Sequence, residues 1–395
     1  MKDSTRERPV PDTLHARVRA AADYELVASE FLSAAAHAYI AGGSGDDLTV
    51  AANRASLNRH ALMPRLLCDM TNAHTRVQLP DGDWSHPILL APVAHQRLMH
   101  PEAERASARG AAATDTCMVA STLSSLSLED IAASSPTRKW FQLYLQPDRS
   151  HSLDLVRRAE AAGYSAIVLT ADAAIQLPSR RALSAGFRLP DDCVAANLTG
   201  YPTPASASGR AGVFEQFRTS RVSADDIDWL LKTTRLPVLV KGVLDADDAR
   251  QLQSLGVAGV VVSNHGGRTL DGVCASLTAL PAVRAAVGDQ FSVLFDSGIR
   301  SGTDIFRAIA LGADAVLIGR LQAYALAVSG ALGVAHLVKL LQQELQVCMA
   351  ITGCKTLQDI RRARLLPLER AADQSMDFSM LTKQSPTGSR DADHP

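Results

Sequence analysis

The chain has 395 residues, 47% hydrophobic and 21% charged, enough to bury a large core. Its 40 Lys and Arg nearly cancel 41 Asp and Glu, for a formal net charge of −1, which argues against a general nucleic-acid or polyanion binder. No apolar run is read as reaching the roughly 18 residues of a membrane span, and the charged stretch Met1–Asp12 lacks the apolar segment of a secretory signal. The six cysteines (Cys68, Cys117, Cys193, Cys274, Cys348, Cys354) are scattered with no CxxC pair. They are expected to be reduced thiols of a cytoplasmic protein, forming neither a disulfide frame nor a metal site.

In chain order, residues 1–24 are expected to be a flexible N-terminus, followed by helices near 25–40 and 46–60. Eight β-rich runs then alternate with helical patterns: His86–Ala94, Met118–Ser124, Lys139–Leu145, Ala166–Asp172, Pro237–Val243, Gly259–Gly267, Ser292–Ile299 and Ala315–Arg320. Several, such as Ala166-Ile167-Val168-Leu169, are continuously apolar, as parallel strands covered on both faces must be. Between them, Leu244–Leu255 opens on Asp245, Asp247 and Asp248 and stops at Gly256; Thr303–Leu311 stops at Gly312. Acid at a helix start and Gly past its end suit the dipole and the C-cap. Ser223 with Asp226 forms a plausible capping box for another helix.

This alternation predicts an α/β fold, a (β/α)8 TIM barrel, as one domain over residues 25–372 with an N-terminal helical extension. The connection Ala173–Leu236 after the fourth strand is too long for an ordinary βα loop. Its Gly/Pro/Ser/Ala-rich middle, Leu198–Gly212, is expected to be a mobile lid, and residues 373–395 a disordered tail.

The chemistry collects where strands end. Ser263-Asn264-His265-Gly266-Gly267-Arg268 follows the apolar Gly259–Val262 and so belongs at the C-terminal mouth of the barrel. An imidazole suits proton removal at neutral pH, and a guanidinium three residues on suits a carboxylate. The alternative is a polar turn whose His is satisfied by backbone. Asp296-Ser297-Gly298-Ile299-Arg300 and Gly319-Arg320 end the seventh and eighth strands, where such barrels commonly bind phosphate through backbone N–H groups and arginines. Lys241 ends an apolar strand and should face the mouth, where it could stabilise negative charge; a carboxylate partner would explain it equally. Asp172 is placed either to orient His265 or to cap the next helix. Gln142 and Tyr144 share one face of the third strand, directed at a polar ligand or making an inter-layer hydrogen bond.

With these motifs, from about Tyr39 to Ile360, the sequence resembles the FMN-dependent 2-hydroxy acid oxidase and dehydrogenase family, which includes glycolate oxidase, lactate oxidase and mandelate dehydrogenase. The resemblance implies bound FMN, no metal and a homo-oligomer, a tetramer or octamer. By the same resemblance His265 is the catalytic base, Asp172 its orienting partner and Arg268 the substrate-carboxylate clamp. Tyr144 and Tyr39 contact the substrate, and Lys241 lies beside the flavin. Pro92, Val93, Ala94, Ser121, Gln142, Thr170 and Ser263 surround the flavin ring, while Asp296, Ser297, Gly298, Arg300, Gly319 and Arg320 form the ribityl and phosphate shell.

Three departures stand out. Ungapped spacing from Thr170 to Phe187 puts Ser179 where relatives carry a substrate-gripping Arg, so either a slip brings in Arg180 or Arg181, or the contact is absent. Leu123 stands where glycolate oxidase has a tryptophan, which implies a wider pocket. Asp296-Ser297-Gly298 replaces the commoner Asp-Gly-Gly. The expected reaction is oxidation of a small (S)-2-hydroxy acid to the 2-keto acid, with oxygen reoxidising the flavin to give hydrogen peroxide. Ala94 favours oxygen, because family dehydrogenases can carry glycine there. The alternatives are a dehydrogenase using another acceptor and a flavin-binding protein with altered catalysis. Mandelate-like or medium aliphatic acids are expected to outperform glycolate, and no nucleic acid or membrane partner is expected.

Overall fold

The computed structural model describes residue 8 and residues 10–201 and 212–368. Eight parallel strands close into a barrel: β1 (Ile88–Leu90), β2 (Cys117–Ser121), β3 (Lys139–Leu143), β4 (Ala166–Thr170), β5 (Val238–Val243), β6 (Gly259–Val262), β7 (Ser292–Asp296) and β8 (Ala315–Ile318). Each falls on one of the eight expected runs. The expected C-terminal ends are mostly too long: residues 91–94, 122–124, 144–145, 171–172, 263–267 and 297–299 have left the ladder and form the rim.

The inward faces explain how the barrel carries a site. With period-2 alternation, Leu89, Val119, Trp140, Val168, Leu239, Val261, Leu294 and Leu317 meet in one buried apolar layer. Leu79 and Trp84 of the hairpin Val77–Leu79/Gly82–Trp84 join the same cluster. Two residues further along the same strands stand Ala91, Ser121, Gln142, Thr170, Lys241, Ser263, Asp296 and Gly319. One step along the chain therefore changes the interior from dry to polar. The register sets Ser121 beside Gln142 and Thr170 beside Lys241. Outward residues such as Phe141, Val260 and Phe295 pack under the surrounding helices.

Several expectations need correction. Residues 10–24 are not loose: Pro11–Arg17 is helical, and Leu14, Val18 and Ala21 are buried. Their i, i+4, i+7 spacing gives an apolar stripe that joins the main core. The helix expected near 25–40 is two helices, Asp23–Ala28 and Ala34–Ala41, the second capped by Ser33. The second early helix is Leu48–Leu57. Arg320–Thr352 is by length and composition apolar enough to cross a membrane, contrary to the sequence reading. Here it packs against the helices Ala103–Ala112 and Gly302–Ala310, with a break at Ser329 and Gly330.

The long connection after β4 holds helices Arg180–Ser184, Val213–Ser220 and Ala224–Thr233, the last with the expected Ser223–Asp226 capping box. Most of the expected lid, residues 202–211, and the expected tail 373–395 lie outside the described residues.

Candidate active site

At the C-terminal mouth lies a cavity of about 1240 Å³, counting its open entrance. Of the residues singled out from sequence, Tyr39, Pro92, Val93, Ala94, Ser121, Leu123, Gln142, Tyr144, Thr170, Lys241, His265, Arg268, Asp296, Ser297, Gly298, Arg300, Gly319 and Arg320 line it. Asp172 and Ser263 stand behind this wall, bonded to residues in it. Arg180 is the exception: it is 71% exposed and pairs with Asp46 at 2.6 Å, outside the cavity. Arg181 likewise pairs with Asp47 at 2.7 Å. Ser179 caps the short helix that carries both, its hydroxyl accepting from Ala182 N–H.

The chain turns sharply after β6, with His265, Gly266 and Gly267 all at positive φ (59°, 64° and 76°). This left-handed run is costly for His265, a kind of strain that clusters at functional sites. It points the ring at Asp172, whose Oδ1 lies 2.9 Å from Nδ1. Burial alone would raise the Asp172 carboxyl, but His265 and Lys241 outweigh it and hold it below the usual range. Gly242 makes room for this carboxylate: its φ is +108°, and a Cβ there would stand 2.4 Å from the Asp172 Cβ.

Lys241 is buried, donating to Ser263 Oγ at 2.9 Å and facing Asp296 at 3.2 Å. Burial alone would lower its pKa; Asp296, Asp172 and Tyr144 together raise it, so the ammonium persists. Burial likewise pushes the Tyr144 hydroxyl up to about 12, leaving it a neutral donor. Arg268 donates through Nη1 to the carbonyls of Tyr39 and Gly42, both at 2.9 Å, and lies 4.8 Å from the Tyr39 ring centroid.

At the other end, Gly298, Arg300, Gly319 and Arg320 gather beside the first turn of Arg320–Thr352, whose leading N–H groups lack helical partners. Arg320 donates to the carbonyls of Ile40, Gly266 and Gly42 at 2.8–2.9 Å. Burial first, then Arg268 and Arg300, depress it to about 9. Arg300 reaches Glu25 at 3.3 Å.

Sequence reading missed several parts. Arg54 joins the Gly298 carbonyl to the buried Asp304. Asn53 and Asn264 exchange side-chain hydrogen bonds of 2.8–2.9 Å beneath the His265 turn. Asp271 accepts from Asp46 and Thr49 N–H, both at 2.8 Å, tying the early helices to that turn. Gln176 also lines the cavity. Asn264 lies within the Ser263–Arg268 motif; Asn53 and Arg54 carry no local signal, because their partners Asn264 and Asp304 are over 200 residues away.

Residues 28–367 match the family described as FMN-dependent dehydrogenase. The chain is 61% identical over 350 residues to an L-lactate oxidase of Alicycliphilus denitrificans, covering 88% of this chain and 96% of that one. It is 39% identical over 348 residues to glycolate oxidase of Spinacia oleracea, covering 87% and 94%. A solved mandelate oxidase with (S)-2-phenylpropionate superposes with a TM-score of 0.80 at 40% identity, covering 88% of this chain and 98% of that one. With the family model spanning most of the chain and these likenesses running nearly end to end, the chain belongs to the FMN-dependent dehydrogenase family.

Proposed function

We propose that this chain oxidises (S)-lactate and its short aliphatic homologues to the 2-keto acids. The broader reaction, FMN-dependent oxidation of a 2-hydroxy acid with oxygen as acceptor, is the one its oxidase relatives share. The observation that carries the reading is the His265–Asp172 pair at 2.9 Å beside Arg268 in one cavity wall. A base next to a carboxylate clamp suits an acid whose α-carbon bears a hydroxyl.

FMN fits the cavity. Gln142 Nε2 and Thr170 Oγ1 are buried without a protein partner and belong to the lining, as polar atoms facing a polar ring would be. Gly298, Gly319, Arg300 and Arg320 would take the phosphate. When bound there, FMN would supply two-electron acceptance from the substrate and reoxidation by oxygen to hydrogen peroxide.

The protein's own part follows from its geometry. Asp172 holds Nδ1 of His265, leaving Nε2 to take the substrate's proton, and then stabilises the imidazolium. Arg268, Tyr39 and Tyr144 orient the carboxylate, and the Lys241 ammonium in the floor favours negative charge arriving beside it. Leu123 and Ala94 give an apolar wall for the substituent on the α-carbon. Lactate's methyl can bury there, worth about 25 cal/mol per Å² removed from water, whereas glycolate has none to bury.

The test is anaerobic mixing with (S)-lactate, which should bleach the flavin, and aerobic turnover, which should yield one peroxide per keto acid. Glycolate, (S)-lactate, 2-hydroxyoctanoate and mandelate should then be compared. Absence of bleaching, or glycolate or mandelate as the best of the four, defeats the proposal. We also place the chain in the cytoplasm as a homo-oligomer. Its six free cysteines support a reducing compartment, and the outward Leu66 and Leu67 support a subunit contact. Cell fractionation and light scattering test these two points.

A further inference from the structure

Few charged donors remain free to grip the substrate carboxylate. Arg268 spends Nη1 on two backbone carbonyls, Lys241 is held by Asp296, and Arg180 and Arg181 are turned outward to Asp46 and Asp47. Beside the Tyr39 and Tyr144 hydroxyls, Arg268, with Nη1 engaged, is among the described residues the one cation left to the carboxylate's two oxygens.

The segment after β4 supplies another donor. Leu177 N–H bonds to the Thr269 carbonyl at 2.8 Å, next to Arg268 in the chain. Pro178 accepts from Gly45 N–H at 3.0 Å, and Phe187 stacks on Tyr39 with centroids 4.2 Å apart. This strap is therefore fixed to both elements that carry the clamp. Gln176, immediately before the pinned Leu177, lines the cavity at its entrance. Its amide makes no hydrogen bond among the described residues.

We propose that Gln176 is a substrate-binding and specificity-determining residue, its Nε2–H completing with Arg268 the grip on the substrate carboxylate. This rests on the 2-hydroxy acid reading above. A neutral amide in this place makes the grip depend on a single cation.

The experiment uses the FMN-loaded enzyme and the variants Gln176→Ala and Gln176→Glu. Two quantities are read: KM and kcat for (S)-lactate, and the Kd of oxalate, a non-reacting carboxylate of similar size, from the perturbed flavin spectrum. Losing a hydrogen bond to a charged group should raise KM and the oxalate Kd about tenfold in Gln176→Ala, with the loss falling on KM more than on kcat. Gln176→Glu sets like charges face to face and should weaken both by roughly a further tenfold. A rise of at least about threefold in both constants supports the proposal. A smaller rise in either, or a loss confined to kcat, overturns it. If wild-type enzyme binds oxalate but does not oxidise lactate, the functional reading fails, while the oxalate arm still decides the role of Gln176.

Discussion

Replacing Asp172 by Asn isolates the charge behind His265 while keeping an oxygen acceptor for Nδ1. The two side chains are largely buried, 11% and 21% exposed, and meet at 2.9 Å. Once His265 has taken the proton, an imidazolium faces a carboxylate. Unit charges about 4 Å apart at an effective dielectric of about 20 attract by about 4 kcal/mol, or roughly a thousandfold in rate. The amide dipole recovers part of this, so the rate of flavin reduction by (S)-lactate should fall by about 10²–10³. Anaerobic stopped-flow absorbance measures that step directly, and an unchanged flavin spectrum in the resting variant shows that the site is intact. Reduction within about tenfold of wild type would refute the electrostatic role and leave Asp172 as a positioning group only.

The remaining expectations concern its neighbours. His265→Ala should keep FMN yet lose flavin reduction by at least about a hundredfold, and reduction at the wild-type rate removes His265 from the chemistry. Arg268→Lys should weaken both substrate binding and reduction, because an ammonium lacks the paired donors of a guanidinium; unchanged kinetics would show that Arg268 is not the clamp. Gly242→Ala forces a positive φ on alanine and a Cβ against Asp172, so urea melts should show a loss of about 1–3 kcal/mol alongside slower reduction. A stable, fully active variant would mean that the dyad tolerates displacement. Burial raises the Tyr144 hydroxyl to about 12, so it stays protonated across the working range. Tyr144→Phe should then lower kcat/KM by the same factor from about pH 6 to about pH 10, and a factor that shrinks steadily above about pH 8 would falsify this.

The sequence by itself determined the barrel and the identity of most of the cavity. The eight apolar runs could be read because strands buried on both faces have no alternative to continuous hydrophobicity, as in Ala166–Leu169. The mouth could be read because its residues, from Ser263 to Arg268 and from Asp296 to Arg300, directly follow those runs. Most strands end earlier than the sequence reading places them, because a ladder stops where the neighbouring strand offers no further partner, and that is set only in the closed barrel. Tertiary structure decided what depends on partners distant in sequence. It turned Arg180 out to Asp46 and so removed it from the cavity, and it set Gln176 at the entrance. It also fixed the His265 turn on Asn53 and Asp271, and packed residues 14–21 and the apolar helix Arg320–Thr352 into one core. A side chain's direction is set by the neighbour that satisfies its charge or hydrogen bonds, and that neighbour exists only once the barrel has closed.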